Sequence, residues 1–226
     1  MNFTQPLCYQ RVLAGTLVAL LSSAIGLPSI SGKAEAQSFG SPTGSSRGGG
    51  VRGQCFVTDR ERPLIAIVDQ SNPGLTTQAN PTFLFYTPYS QSSEQNKAIT
   101  AEFELLDENE KPVLKTERIV FSLPEKPGIV KVTVPNTETT LEPDKAYFWI
   151  FRVNCDANDS SANPSVSGWI KRVKAGSSEN LWFDRLAQLT QSPMNHLDQW
   201  TQLLKEVDPK LQDLAQTPIV ELKPNQ

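Results

Sequence analysis

Residues 147–155 read YFWIFRVNC, and the reading of this stretch decides the fold. Side chains in a strand alternate between the two faces of a sheet. Tyr147, Trp149, Phe151, Val153 and Cys155 therefore share one face, and that face is apolar throughout. It is the expected core face of a strand, with Cys155 pointing inward at its end. Arg152 and Asn154 fall on the opposite face.

The neighbouring stretches follow the same pattern. Upstream lie PLIAIVD at residues 63–69, PTFLFYTP at 81–88, AEFELL at 101–106, and apolar runs at 113–123 and 128–134. Downstream, residues 166–173 read VSGWIKRV. Asn72-Pro73-Gly74 and the polar Asp107-Glu108-Asn109-Glu110 are turns between them. Short strands with turn signals and no helical period predict a mainly β fold, an immunoglobulin-like antiparallel β-sandwich over residues 55–175.

After Gly176 the period changes. Trp182, Leu186 and Leu189 recur at helical spacing, with Ser178 as a candidate cap and Glu179 in the first turn. Ser192-Pro193 restarts the pattern, and Leu197, Trp200, Leu203, Leu204 and Val207 continue it. Asp208-Pro209 opens a last turn with Leu211 and Leu214. A small α-helical C-terminal segment is expected over residues 176–216, followed by a tail over 217–226 that frays at Lys223-Pro224-Asn225-Gln226.

The N-terminal part carries an export pattern. Arg11 precedes a run of about 16 apolar and small residues, and Ala34-Glu35-Ala36 ends it. The run falls short of the roughly 20 residues a membrane-spanning helix needs. Residues 1–36 are read as a signal peptide cleaved between Ala36 and Gln37. The product is expected to be exported to the periplasm or the cell exterior, with no transmembrane segment in the mature chain. Residues 37–54 are Gly/Ser-rich and are expected to form a disordered linker.

Removing residues 1–36 takes Cys8 with it and leaves Cys55 and Cys155. Two cysteines in an oxidising compartment usually pair, so a Cys55–Cys155 disulfide is expected. The 24 acidic and 21 basic residues of the chain become 23 and 19 in the mature protein, a net charge of −4. That balance argues against a nucleic-acid partner, which calls for clustered Lys and Arg.

Chemistry-bearing residues are sparse. The single histidine, His196, sits in a helical pattern beside Leu197, without a nucleophile–base constellation. Asp156-Ala157-Asn158-Asp159-Ser160 has alternate oxygen ligands but lacks the glycine and closing glutamate of a calcium loop. Asp107, Glu108 and Glu110 lie at a hairpin tip, whereas paired glycosidase acids work in a cleft. Phe83, Phe85, Tyr86 and Tyr89 are weighed as a sugar-stacking platform against burial in the core. No catalytic residue, cofactor or metal is assigned.

Several of these blocks together resemble DUF928, a domain of unknown function found mainly in exported cyanobacterial proteins. They are Asn72-Pro73-Gly74-Leu75-Thr76, Pro81-Thr82-Phe83-Leu84-Phe85-Tyr86 with Pro88-Tyr89, and Ala101-Glu102-Phe103-Glu104-Leu105. Phe121-Ser122-Leu123-Pro124, Pro127-Gly128-Ile129-Val130, residues 147–155, and Gly168-Trp169-Ile170-Lys171-Arg172-Val173 follow in order, then Glu179-Asn180, Trp182 and Phe183. The resemblance covers roughly residues 55–215. One departure is Leu141-Glu142-Pro143-Asp144-Lys145, where a glycine-containing turn is expected. The resemblance implies export and a β-rich domain with a helical tail. It brings no activity and no catalytic residues.

The leading expectation for function is a non-catalytic periplasmic or cell-surface interaction module with an unknown protein partner in the cell envelope. A small-ligand or glycan-binding domain is the alternative, and a carboxylate-dependent hydrolase comes third.

Overall fold

A computed structural model describes residues 44–48, 59, 61–69, 71, 73–89, 99–155, 163–177 and 179–225. Residues 1–36, the Ala36–Gln37 junction, Cys55, Ser178 and residues 156–160 lie outside the described set.

The domain is mainly β, with two facing sheets and C-terminal helices. One sheet has the order β1 (Ile65–Ala66), β3 (Thr82–Thr87), β6 (Gly128–Thr133), β9 (Val220–Glu221). The other runs β2 (Gly74–Thr76), β8 (Ser165–Arg172), β7 (Ala146–Asn154), β4 (Thr100–Leu106), β5 (Arg118–Ser122). Most pairings are antiparallel. Two edge pairings, β2 with β8 and β6 with β9, are parallel. Both involve strands of two or three residues that reach the sheet edge after long connections, and parallel neighbours need such connections.

The odd-numbered face of β7 is core, and burial alternates along the second half of the strand. Trp149, Phe151 and Val153 are fully buried, and Tyr147 and Cys155 nearly so. Across the interface, Phe85 stacks on Phe151 with ring centroids 4.0 Å apart, and Phe83 contacts both Phe103 and Trp149. Burying a side chain of this size contributes roughly 1.5–3 kcal/mol. Tyr86 and Tyr89 are 1% exposed, so the four aromatics of residues 83–89 are core and not a stacking platform. β3 is buried along its whole length because one face meets β7 and the other lies under neighbouring segments.

The run at 113–123 is shorter as a strand than its apolar pattern suggests. Asp107 closes the hairpin by accepting from the Asn109 and Lys111 N–H groups, and the chain then turns again at Glu117 before β5. Glu108 and Glu110 stand in solvent at the tip.

The helices are α1 (Trp182–Gln191) and α2 (Leu197–Val207), with 3-10 turns at Pro193–His196 and Pro209–Leu214. α1 starts at Trp182, later than the Ser178 reading; Leu181 takes the cap position and Asp184 is the acidic residue of its first turn. Asp208 caps the Pro209–Leu214 turn through the Lys210 N–H. Trp182, Leu186, Leu189, Trp200, Leu203 and Leu204 are buried in the same core as the sandwich. His196 is exposed. Among the described residues, no helix is long and apolar enough to cross a membrane.

Two segments read as unstructured are paired. Ser45 and Ser167 exchange backbone hydrogen bonds at 2.9 and 2.8 Å, while Gly48 donates to Leu64 and Ala66 to Ser46. Residues 44–48 thus form a strap between the β8 edge of one sheet and the β1 edge of the other. Arg47 adds an ion pair at 2.9 Å to the buried Asp208. On the opposite side the tail does the same. β9 pairs with β6, Leu222 is buried, and Asn225 donates to Val120 on β5. Neither segment has an apolar period; each is ordered by hydrogen bonds that open strand edges supply.

Deleting residues 217–226 exposes β5 and β6 as unpaired edges. We expect about 2 kcal/mol of lost stability from the missing ladder and Leu222 burial, together with a new tendency to aggregate. Urea denaturation and light scattering read the two effects; unchanged values in both would contradict the tail's structural role.

Candidate functional site

The edge of β8 is flanked by two short partners. β2 pairs with Ile170, Lys171 and Arg172, and the strap pairs at Ser167. Neither of these pairings covers residues 168–169, and a cleft of about 180 Å³ lies there. Gly44 and Ser46 of the strap line one side. Val68, Asp69 and Ser71, which follow β1, and Gly74 of β2 line another. Trp149, Phe183 and residues 167–169 complete it.

Close packing around the cleft depends on missing side chains. A Cβ on Gly168 would sit 2.7 Å from Trp149 Cζ2 and 3.1 Å from Cε2, so the indole lies flat against the strand only because residue 168 is glycine. Gly44 has φ +79° and passes so near that a Cβ there would lie 2.9 Å from Gly168 Cα. Its backbone sits in the left-handed region that glycine adopts without strain. At the far side, Gly74 packs directly on the Phe183 ring.

The wall that carries Asp69 is held from three directions. Ile67 donates its N–H to Leu84, and its carbonyl accepts from the Trp182 indole at 3.2 Å. Asp69 Oδ1 accepts from the Ser71 N–H and hydroxyl, and Oδ2 accepts from Asn180 Nδ2 at 3.1 Å. Phe183 reaches the cleft because α1 is locked to the end of β2. Asp184 accepts from the Thr76 hydroxyl and from the N–H and hydroxyl of Thr77.

One atom packed beside Gly168 is anomalous. Trp149 is 1% exposed, and its Nε1–H has no hydrogen-bond partner. The indole N–H is a donor only, and a buried donor left unpaired costs about 1–3 kcal/mol. Such a group in a cleft wall is a place where an acceptor from outside the chain gains affinity. Sequence reading placed Trp149 in the core, where it is, and did not show that its N–H lacks a partner. The available signal was Gly168, an isolated glycine inside a strand, which marks close approach of backbone or ligand.

A second polar cluster is structural. The Tyr86 hydroxyl donates to Asp59 Oδ2 at 2.6 Å, and Arg62 pairs with the same carboxylate at 2.8 Å. Burial pulls the Asp59 carboxyl up, but the Tyr86 hydroxyl, the Glu61 N–H and Arg62 outweigh it and leave the pKa below its ordinary value. Burial first, then the Asp59 carboxylate, raises the Tyr86 pKa. Burial alone pushes Tyr89 from 10.0 to about 12. For an acid whose pKa is raised on folding, stability is full below the unfolded value and falls as pH rises past it. The fold should therefore lose stability progressively above pH 10, and both phenols should ionise only as it unfolds. Tyrosinate absorbance followed alongside circular dichroism checks this; ionisation of both groups at pH 10 in a folded protein would contradict it.

Of the predicted site residues, Cys155 directly follows β7 at 8% exposure, with its N–H donated to Asn163 Oδ1. Cys55, Ala36 and Gln37 fall outside the described residues. No curated protein and no solved structure matches the chain. The model of DUF928, Domain of Unknown Function, matches residues 47–180, from within the strap to the residue before the α1 cap. That span is more than half of the chain and contains most of the cleft-lining residues, so the chain belongs to the DUF928 family.

Proposed function

We propose that this protein is an exported, non-catalytic binding module whose cleft beside Gly168 holds a small ligand. The observation that carries the reading is the unpartnered N–H of Trp149, a residue that lines the cleft. The export pattern ending at Ala36 supports delivery of the mature chain, from Gln37, to the periplasm or beyond. A Cys55–Cys155 disulfide belongs to the same reading, and the inward-facing, nearly buried Cys155 supports it.

A small ligand fits the geometry better than a docked protein partner. Among the described residues the exposed large apolar side chains are Met194 and Val220, which give a partner little to bury. The cleft, by contrast, offers a concave wall of aromatic and polar groups, the usual make-up of a ligand site.

Native mass spectrometry of the protein released from its own envelope tests the reading. The wild type should carry a small-molecule adduct. Gly168→Ala, whose Cβ would displace the Trp149 ring, should lose at least tenfold in its occupancy. Equal adducts on both proteins would place the ligand elsewhere, and a bare wild type would remove the support.

A further inference from the structure

Resting on the cleft reading above, we propose that the ligand is a neutral polyhydroxylated ring the size of one sugar unit. The cleft demands opposite things of its occupant. Trp149 Nε1 only donates, so the occupant must offer an acceptor. Asp69 only accepts, and the three hydrogen bonds it receives from Ser71 and Asn180 leave room for a further donor. Ser46 and Ser167 line the same space with hydroxyls that do both. Groups that donate and accept in turn are hydroxyls.

Charge narrows the class. Among the described residues, Asp69 is the ionisable residue of the lining, and no Lys or Arg lines the cleft to balance an anion. Val68 and Phe183 supply apolar wall for the C–H face of a ring. A cavity of about 150 Å³ accommodates benzene, so 180 Å³ takes a six-membered ring with some of its substituents outside. The strap closes one side of the space, held to Ser167 by the backbone of Ser45.

The test uses the mature protein, residues 37–226, and reads indole N–H resonances by 1H–15N NMR. The chain has four tryptophans, and the Trp149 resonance is the one that disappears in Trp149→Phe. The probes are methyl glucoside and methyl galactoside as neutral rings, glucuronate as an anion, and choline as a cation. A neutral glycoside should shift the Trp149 resonance, with affinity falling about tenfold in Trp149→Phe and in Asp69→Asn. Glucuronate should bind more weakly than the glycosides. Thermal melts of both variants establish that they are folded, and Asp69→Asn stands at the surface should Trp149→Phe not fold. Choline binding without glycoside binding would overturn the sugar assignment and leave the ligand cleft standing. Tighter binding of glucuronate would overturn the charge argument and with it the proposal. Failure of every probe, with an adduct still present on the native protein, would overturn the sugar class alone; failure with no adduct would overturn both readings.

Discussion

Replacing Cys155 with serine is expected to lower the stability of the mature protein by about 4 kcal/mol. The proposed bridge to Cys55 closes a loop of about 100 residues, for which the chain-entropy model gives about 4–5 kcal/mol. Native-state strain and residual structure in the unfolded chain reduce that figure in measured cases. Cys155 directly follows β7, the central strand of the five-stranded sheet, so the bridge would tie the start of the β-domain to the strand that carries Trp149. Thermal melts with and without reductant measure the effect, and Cys55→Ser should match Cys155→Ser. A mature protein with two titratable thiols and an unchanged melt on reduction would sink the bridge.

Asp184→Ala should cost about 3 kcal/mol, through a different mechanism. The carboxylate collects three donors from Thr76 and Thr77, and Thr76 is fully buried. Hydrogen bonds to a charged group contribute about 1.5–3 kcal/mol, and unpaired buried donors cost about 1–3 kcal/mol each. The contacts are not additive, which keeps the expectation below their sum. Asp184 also lies in the first turn of α1, where the helix dipole favours a negative charge. Asp184→Asn should recover part of the loss, because its amide oxygen still accepts. Asp198, the exposed acid in the first turn of α2, serves as the control: its alanine variant should change stability by no more than about 0.5 kcal/mol. Urea denaturation followed by circular dichroism separates the three; an Asp184→Ala curve lying on the wild type would refute the lock between α1 and β2. Because Phe183 and Gly74 both line the cleft, Asp184→Ala should also loosen ligand binding.

Much of the architecture was legible in local pattern. In residues 147–155 the odd positions are apolar throughout, and they form a buried face of β7; the other face is also buried at its start, where Phe148 packs on Trp169. The helical stripe from Trp182 to Leu204 is likewise the buried stripe. Burial against a sheet or a helix leaves a period in the chain, and a period survives without knowledge of what does the burying. The hairpin at Asp107 is equally local, since its own carboxylate closes the turn.

The strap, the tail and the cleft had no such signature. Ser45 and Arg47 are ordered by edges that residues 65 and 167 provide, and Pro224 by Phe121. Backbone hydrogen bonds to a distant edge ask nothing of the side chains, so Gly/Ser-rich and polar segments give no hint of them. The cleft gathers Gly44, Asp69, Gly74, Trp149, Gly168 and Phe183 from six separate places in the chain. Sequence alone determined that this protein is a β-sandwich with a helical end, because burial writes a period into the residues. Only the tertiary structure decided that its sides are closed by its own terminal segments and that the buried indole N–H of a cleft-lining residue has no partner, because both depend on contacts between residues far apart in the chain.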